Sequence, residues 1–264
     1  MTNGAAPAPG FKVQNLSYRI GPELILGDLN LTVAPGQVTA LIGHNGSGKS
    51  TLMKLLARQL TPVAGAVLFD GEAVGQWNEK RFARRVAYLP QDMPVTLGLA
   101  VRELVAFGRY PWHGALGRYG AEDHARVAAA IRDCGLTAFA DRQVDSLSGG
   151  ERQRAWIAMA LAQDTGCLLL DEPISALDVA HQLEVLSLLR RLSREAGKTI
   201  VLVLHDVNLA ARFCDHMHAL KGGRLVVSGP PVDVMTRECL AEIYGVEMTV
   251  VSHPVLGTPI ACVS

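Results

Sequence analysis

The amino-acid sequence predicts an α/β fold with three parts: a core, an antiparallel β subdomain and an inserted α-helical subdomain. Short apolar, β-prone runs at 38–42 and 167–170 are followed by segments with helical apolar spacing, as in the buried strands and helices of an α/β sheet. Residues 11–33 alternate apolar and polar side chains, which indicates antiparallel strands. Residues 95–159 show mainly helical spacing, which indicates the insertion.

Composition limits the classes of protein to which the chain can belong. Its 264 residues carry 25 Lys plus Arg and 25 Asp plus Glu, so the formal net charge is zero, and no block of like charges stands out. We therefore expect no nucleic-acid partner. No apolar run approaches the roughly 20 residues that span a bilayer. The five widely spaced cysteines fit a reducing compartment better than a disulfide framework.

The N-terminal region predicts a leader followed by two strands. The first ten residues lack a basic segment followed by an apolar core, so we predict a flexible leader rather than a signal peptide. A Gly21-Pro22 turn separates the alternating segments 11–18 and 24–33. The predicted organisation is a leader at 1–10 and one domain at 11–264, with the core and β subdomain at 11–94 and 160–264 and the helical subdomain at 95–159.

The segment 43–51 reads Gly-His-Asn-Gly-Ser-Gly-Lys-Ser-Thr and matches the phosphate-loop pattern G-x-x-x-x-G-K-[ST] at every fixed position. The glycines let the backbone point its N–H groups at phosphate oxygens, and the helix that begins there adds its positive end. Lys49 is suited to bind the β and γ phosphates, and the Ser50 hydroxyl is suited to ligate Mg²⁺. The alternative is a Gly-rich turn with a surface lysine. The sequence thus predicts a P-loop NTPase core whose nucleotide-binding residues are Gly43, His44, Asn45, Gly46, Ser47, Gly48, Lys49, Ser50 and Thr51.

Two aromatic or polar features flank this loop in the sequence. Tyr18 ends the first predicted strand, and its ring could stack on a base near the loop, although an exposed strand tyrosine is also common. Residues 86–89 predict a short strand that ends at Pro90 and is followed by Gln91. In the helical insertion, an aromatic loop is predicted at 108–113.

The segment Leu147-Ser-Gly-Gly-Glu151 leads directly into helical apolar spacing over 152–163. Ser148 can cap the helix, Gly149 and Gly150 permit close approach, and the helix dipole favours a negative charge at this end. An ordinary capped helix is the alternative for this motif alone. In a chain that already carries a phosphate loop, it predicts a second phosphate-facing helix end.

Two adjacent carboxylates, Asp171 and Glu172, follow the apolar run at 167–170, at the strand edge where open α/β sheets bind ligands. Asp171 is suited to hold Mg²⁺, and Glu172 is suited to orient and deprotonate an attacking water. A helix N-terminus is the alternative for such a pair. The next strand ends at His205, which would lie beside the γ-phosphate if the two strands are parallel neighbours.

The C-terminal region predicts structure without evident catalytic chemistry. Residues 217–227 predict a hairpin, 231–244 one or two helices, and 248–263 a small closing β element. Cys214, His216 and His218 follow a period of two, but no second ligand pair is nearby in sequence, so we assign no metal site to them.

These segments, in order and spacing, resemble the ATP-binding subunits of ATP-binding cassette (ABC) transporters over nearly the whole chain. More narrowly, the chain looks like the ATPases of iron-siderophore and cobalamin importers, and most like those of ferric hydroxamate uptake. Position 174 is Ile in this chain, where many relatives have Thr. It lies beside the proposed catalytic residues but is not one of them. The segments that carry the broad resemblance are 43–51, Gln91, 147–151, 168–172, 175–178 and His205, and those that carry the narrow one are 108–118, 145–159 and 203–212.

The resemblance implies an ABC ATPase that binds ATP and Mg²⁺ as a head-to-tail homodimer. Each ATP would lie between the phosphate loop of one chain and the Ser148, Gly149 and Gly150 helix end of the other. Tyr18 would stack on adenine, and Ser50, Gln91 and Asp171 would surround Mg²⁺. Glu172 would be the catalytic base, and Gln91 would also sense the nucleotide. His205 would bridge the γ-phosphate and the loop that holds Asp178 of the partner subunit.

The function implied is the motor subunit of an importer for ferric hydroxamate siderophores, peripheral to the cytoplasmic face of the inner membrane. Its partners would be an inner-membrane permease and, indirectly, a periplasmic siderophore-binding protein. Import of haem, another iron chelate or cobalamin is the near alternative. A soluble ABC ATPase of DNA repair or translation usually carries two cassettes, a long coiled coil or zinc cysteines, none of which the sequence shows. The intact Glu172 and His205 argue against a regulatory module without turnover.

Overall fold

The computed structural model describes residues 10–94, 96, 98–114 and 118–263. Most of the predicted leader and part of the predicted helical subdomain therefore lie outside the described residues. The strands are β1 Phe11–Ile20, β2 Glu23–Val33, β3 Val38–Ile42, β4 Ala64–Phe69, β5 Glu72–Ala73, β6 Val86–Leu89, β7 Cys167–Leu170, β8 Thr199–Val203, β9 His216–Lys221, β10 Arg224–Gly229, β11 Met248–Ser252 and β12 Pro259–Val263. The α-helices are α1 Lys49–Leu56, α2 Glu79–Ala83, α3 Val101–Phe107, α4 Tyr110–His113, α5 Ala121–Asp133, α6 Gly149–Ala162, α7 Val179–Ala196, α8 Val207–Phe213, α9 Pro231–Val234 and α10 Arg237–Tyr244.

The core is a six-stranded sheet in the order β10-β9-β3-β8-β7-β6. All neighbouring strands in it run parallel except β10, which is antiparallel to β9. The predicted α/β fold is confirmed. Because β3, β7 and β8 point the same way, the residues that follow them meet at one edge of the sheet. Gly43, Asp171 and His205 lie in those three connections.

The antiparallel β subdomain is a four-stranded sheet in the order β2-β1-β4-β5. Strands β1 and β2 pair across the predicted turn, with Ile20 opposite Glu23. Fully buried leucines of β1 and β2, such as Leu16 and Leu26, share one hydrophobic cluster with Leu52 and Leu56 of α1. Burying a leucine side chain contributes about 1.5–3 kcal/mol to folding stability. This cluster therefore holds α1, the helix that follows the phosphate loop, against the β subdomain.

The described part of the insertion contains helices α3, α5 and α6, which pack against one another around Val105, Ile131 and Trp156. The predicted boundary between residues 159 and 160 falls inside α6, so one continuous helix joins the insertion to the core. The residue after α6, Gln163, donates its side-chain Nε2 to the carbonyl oxygens of Ala83 at 2.5 Å and Val86 at 3.1 Å. These bonds tie the end of α6 to the edge strand β6.

The prediction of a loop over 108–113 is wrong in part, because Tyr110–His113 form the short helix α4. Pro111 suits the first turn of a helix, where its missing N–H has no partner to lose. The carbonyl oxygens of Pro111 and Trp112 accept hydrogen bonds from the Arg84 guanidinium at 2.9 and 2.8 Å. The Trp112 indole N–H donates to the carbonyl of Gln163 at 2.7 Å. Contacts with distant residues therefore hold this turn.

The C-terminal region follows the prediction. Strands β9 and β10 form a hairpin, two helices follow, and β11 and β12 form a separate two-stranded antiparallel sheet that packs on α8. All five cysteines are free thiols. Among the helices that the structure describes, none is both long enough and apolar enough to cross a membrane.

Candidate nucleotide-binding and active site

A pocket of about 470 Å³ lies at the edge of the core sheet where β3, β7 and β8 end. It brings together groups from distant parts of the sequence: the core sheet supplies the connections after its strands, and the β subdomain supplies Ile20, Glu23 and Ile25. Its lining consists of Ile20, Glu23, Ile25, Asn45, Gly46, Ser47, Gly48, Lys49, Ser50, Thr51, Gln91, Glu172 and His205.

Glycine is required at two points of the phosphate loop. Gly43 has a φ of 133°, and a Cβ there would collide with the carbonyl oxygen of Leu220. Gly48, the residue before α1, has a φ of 98°, and a Cβ there would collide with the side chain of Leu26. Side chains other than hydrogen would therefore be strained and obstructed at both positions. This accounts for two of the fixed glycines in the motif.

The Lys49 ammonium lies inside the phosphate loop. Its Nζ donates hydrogen bonds to the carbonyl oxygens of Gly43 at 2.8 Å and His44 at 3.0 Å, and the residue is only 5% exposed. Burial lowers the pKa of Lys49 from its ordinary value, while the carboxylates of Glu172 and Asp171 act in the opposite direction. The charge is thus held at the pocket by the loop backbone, with two carboxylates nearby.

Ser50 lines the pocket and is hydrogen-bonded to Asp171, which is buried and is not among the lining residues. The Ser50 hydroxyl donates to Asp171 Oδ1 at 3.1 Å, and Asp171 is 1% exposed. Burial raises the pKa of Asp171 above its ordinary value, the hydrogen bond from Ser50 lowers it, and the Glu172 charge raises it. No ion pair to Asp171 occurs among the described residues. A buried carboxylate beside a hydroxyl suits Mg²⁺, which prefers oxygen ligands and would offset the buried charge.

Glu172 is held from two sides. Its Oε1 lies 2.6 Å from His205 Nε2, and its Oε2 accepts a hydrogen bond from Gln91 Nε2 at 2.9 Å. The amide oxygen of Gln91 is then the side-chain atom left to face a cation. The side chain of Glu172 is 12% exposed, so its carboxylate is shielded from most of the solvent.

The backbone of Glu172 adopts a left-handed conformation, with a φ of 52°. For a residue with a side chain this costs about 1–2 kcal/mol. The carbonyl of Glu172 accepts hydrogen bonds from Ser175 N at 3.3 Å and Ser175 Oγ at 3.1 Å, which hold this turn directly after β7. The turn directs the carboxylate toward Gln91 and His205.

The helix end at Ser148 is capped as predicted. Ser148 Oγ accepts from Glu151 N at 3.3 Å, while Glu151 Oε2 accepts from Ser148 N at 2.8 Å and from Ser148 Oγ at 2.9 Å. The Ser148 N–H is the main cause that lowers the pKa of Glu151. A Cβ at Gly149 would meet no atom within 4 Å. Ser148, Gly149 and Gly150 are absent from the lining of the described pocket.

Asp178 and Tyr18 also lie outside the pocket lining. Asp178 caps α7, where its Oδ1 accepts from His181 N at 2.9 Å and lies 2.9 Å from His181 Nδ1. Tyr18 is partly buried against the β-subdomain cluster. The lining instead contains Ile20, which sequence reasoning missed. Tyr18 and Ile20 are two residues apart, so regular alternation along β1 would place them on the same face of the sheet. The irregular pairing between Tyr18 and Arg19 interrupts this alternation, and therefore the sequence does not predict which side chain faces the phosphate loop.

The histidines near the C-terminus form a hydrogen-bonded chain. His216 Nε2 lies 3.0 Å from Ser228 Oγ, which lies 2.8 Å from His218 Nδ1. His218 Nε2 lies 3.2 Å from the carbonyl oxygen of Thr32 on β2. Burial lowers the pKa of His218 to about 4. These imidazoles therefore join the core sheet to the β subdomain.

Known relatives cover almost the whole chain. The chain is 43% identical to the iron(3+)-hydroxamate import ATP-binding protein of Bacillus subtilis, over 94% of this chain and 92% of that protein. It is 43% identical to the ferric enterobactin transport ATP-binding protein of Escherichia coli, over 98% and 95%. It is 40% identical to the hemin import ATP-binding protein of Bordetella bronchiseptica, over 93% and 95%.

Solved structures share the fold. A metal-chelate type ABC transporter in an inward-facing conformation superposes with a TM-score of 0.84 at 27% identity, covering 97% of this chain and 98% of that chain. A dimeric ABC cassette in a post-hydrolysis state with ADP and phosphate superposes with a TM-score of 0.74 at 28% identity, covering 83% and 98%. The family model described as ABC transporter matches residues 26–175, more than half of the chain. The chain therefore belongs to the ABC transporter family of ATP-binding proteins and is an ATPase of that family.

Proposed function

We propose that this ATPase drives an importer of ferric siderophores, and more narrowly of ferric hydroxamates. The observation that carries its motor role is the Glu172 carboxylate, held between Gln91 and His205 beside Lys49. The relatives named for hydroxamate and enterobactin transport are equally similar at 43%, which supports iron chelates as a class. The narrower choice rests on the resemblance of segments 108–118, 145–159 and 203–212 to hydroxamate-uptake ATPases.

In this proposal, each group of the pocket has one task in ATP hydrolysis. Lys49 and the N–H groups of the phosphate loop bind the phosphates. Ser50, Gln91 and Asp171 would hold Mg²⁺, which would supply positive charge beside the phosphates. Glu172 accepts a proton from the attacking water, which is typically worth about 10²–10⁴ in rate. His205 contacts the transferred phosphate.

The adenine and ribose of ATP are proposed to lie at the apolar end of the pocket. The chain's apolar lining comes from Ile20 and Ile25, while Tyr18 lies next to them on β1 and outside the lining. We propose that Tyr18 stacks on adenine after a small side-chain rearrangement, with Ile20 and Ile25 covering the ribose side. Base stacking of this kind is worth about 1–3 kcal/mol in other nucleic-acid complexes.

We further propose that the complete site is shared between two copies of the chain. No contact within the chain requires glycine at position 149, because a Cβ there would meet no atom within 4 Å. Close approach by a group from outside the chain explains the small residue. A helix end with Ser148, Gly149 and Gly150 suits a phosphate. In a head-to-tail homodimer this helix end would face the nucleotide of the partner, and the loop with Asp178 would approach the partner's His205.

The import functions in the relatives' names support a proposal for the partners of the dimer. We propose that the dimer docks peripherally on an inner-membrane permease at the cytoplasmic face, and that a periplasmic siderophore-binding protein acts through the permease. ATP binding would close the dimer and hydrolysis would reopen it, which shifts the permease between its states. Haem is the second candidate substrate, supported by the relative named for hemin import at 40% identity.

The substrate is tested by uptake in cells that lack this chain. Labelled iron is supplied as a ferric hydroxamate, as a ferric catecholate or as haem, and the wild-type chain or its Glu172→Gln variant is restored. We expect the wild-type chain alone to restore uptake of the hydroxamate. Restored haem uptake without hydroxamate uptake would redirect the assignment to a haem importer. Uptake restored by the Glu172→Gln variant would contradict the motor role.

A further inference from the structure

A pair of hydrogen bonds fastens the C-terminal β-hairpin to helix α8. Asn208 Nδ2 donates to the carbonyl oxygen of Ala261 at 3.0 Å, and the N–H of Ala261 donates to Asn208 Oδ1 at 2.7 Å. A neighbouring strand would offer Ala261 the same two bonds, so the Asn208 amide takes the place of a strand along β12. The other side of β12 pairs with β11, where Ala261 lies opposite Val250.

Asn208 lies in the first turn of α8, and the cap residue Asp206 separates this helix from His205. Asp206 caps this turn, since its Oδ1 accepts from Asn208 N at 2.8 Å and Leu209 N at 3.0 Å. Helix α8 has only seven residues, and helices shorter than about 12–15 residues are marginal without tertiary contacts. Its buried side chains are Val207 in the first turn and Ala210, Ala211 and Phe213 beyond it. The hydrogen bonds to Ala261 hold the first turn in place together with the burial of Val207.

This first turn sets the position of His205. The His205 imidazole follows β8 and precedes the cap, and its Nε2 lies 2.6 Å from Glu172 Oε1. A displacement of about 1 Å in a reacting group can cost about 10²-fold in rate. We propose that Asn208 is a positioning residue for His205, acting through the first turn of α8, and that the C-terminal hairpin is its support. This inference rests on the proposed role of His205 in ATP hydrolysis.

The first experiment breaks the same contact from its two sides in the full-length chain. Asn208→Ala removes the side chain on α8 that makes both hydrogen bonds. Ala261→Pro removes the backbone N–H of residue 261 on β12, and proline is tolerated at edge positions of sheets. We expect each variant to lower the kcat for Mg-ATP, by about tenfold for Asn208→Ala, with little change in KM. The matched control is Val255→Ala, at the 84% exposed tip of the same hairpin, which should retain wild-type turnover.

The second experiment separates positioning from a general structural role. Turnover is normalised to the number of ATP molecules bound per chain, and His205→Ala is compared with the double variant His205→Ala/Asn208→Ala. If Asn208 acts through His205, the double variant is no slower than His205→Ala alone. A further tenfold loss in the double variant would overturn the inference, as would normal kcat in Asn208→Ala. If His205→Ala itself retains full turnover, the proposed role of His205 fails, and this inference fails with it.

Discussion

Glu172 Oε1 lies 2.6 Å from His205 Nε2, although the two residues follow different strands of the core sheet. The contact exists because β7 and β8 are adjacent and parallel, with Leu170 opposite Leu202. Gln91, after the other neighbour of β7, donates to the second carboxylate oxygen. Three consecutive strands of one sheet are thus followed by three polar side chains, and the acidic one, Glu172, contacts both of the others and is the proposed base.

Replacing Glu172 by Gln should stop turnover without stopping ATP binding. The amide keeps the shape of the carboxylate but cannot accept a proton from water, so we expect a loss of about 10²–10⁴ in kcat. Binding of a fluorescent ATP analogue should be retained, and size-exclusion chromatography with Mg-ATP should show dimers accumulating. Glu195→Gln, an exposed change on α7, is the matched control. Unchanged turnover in Glu172→Gln would remove Glu172 as the base.

Lys49→Ala should weaken ATP binding. The ammonium is held at the loop by two carbonyl oxygens, and its removal deletes a buried positive charge from the phosphate site. We expect the dissociation constant for ATP to rise at least about tenfold, the change that about 1.4 kcal/mol produces. Lys54→Ala, an exposed change in the same helix, provides the control. Equal affinities in the Lys49→Ala and wild-type chains would count against the phosphate-loop role.

Asp171→Asn should stabilise the fold while it impairs hydrolysis. Burial is the main cause that raises the pKa of Asp171. At neutral pH its buried, charged carboxylate therefore lowers the stability of the folded chain. We expect the free energy of unfolding to rise by about 0.5–2 kcal/mol at neutral pH. As the pH falls through the raised pKa, the folded wild-type chain takes up the proton and the difference shrinks. Urea unfolding of both chains at neutral and acidic pH measures this, and a variant less stable than wild type at neutral pH would disprove it.

The chain should lose stability between about pH 6.5 and pH 4 partly through His218, because burial lowers its pKa from 6.5 to about 4. In this window the unfolded chain binds a proton that the folded chain does not, so stability falls as the pH falls. The loss is on the order of 3 kcal/mol at most. His218→Gln should make the free energy of urea unfolding depend less on pH. Part of the dependence should remain, because burial also lowers the pKa of His216. His124→Gln, an exposed change, should leave the slope unchanged, and an unaltered slope in His218→Gln would refute the assignment.

Local sequence signals predict most of the sheet edge that carries the candidate site. The phosphate loop, the strand before it and the capped helix at Ser148 each depend on residues within a few positions, and the structure has them where the sequence predicts. The apolar runs that become β7 and β8 are short and continuous, as expected for buried parallel strands. Parallel pairing then brings the ends of these strands together, and the left-handed turn at Glu172 directs its carboxylate toward His205.

Other features depend on contacts that spacing does not encode. Helix α4 forms because Arg84 and Gln163, distant in sequence, bind its backbone and its tryptophan. Ile20 lines the pocket because the pairing of β1 with β2 is irregular beside Tyr18. The bond between Asn208 and Ala261 joins residues 53 positions apart. Each of these features depends on a contact or a strand register between segments that are separate in the sequence, and only the folded chain shows it.

The shared site is tested most directly by mixing two inactive variants. Lys49→Ala disables the phosphate loop, and Gly149→Asp places a negative charge where the partner's phosphate would approach, while the open space around Gly149 leaves its own chain undisturbed. Each variant alone should be inactive. A mixed dimer would contain one site with both changes and one with neither, so an equal mixture should recover about a quarter of wild-type turnover under random pairing. If mixed dimers form, as verified by differently tagged chains, and the mixture stays as inactive as its components, the shared site is contradicted.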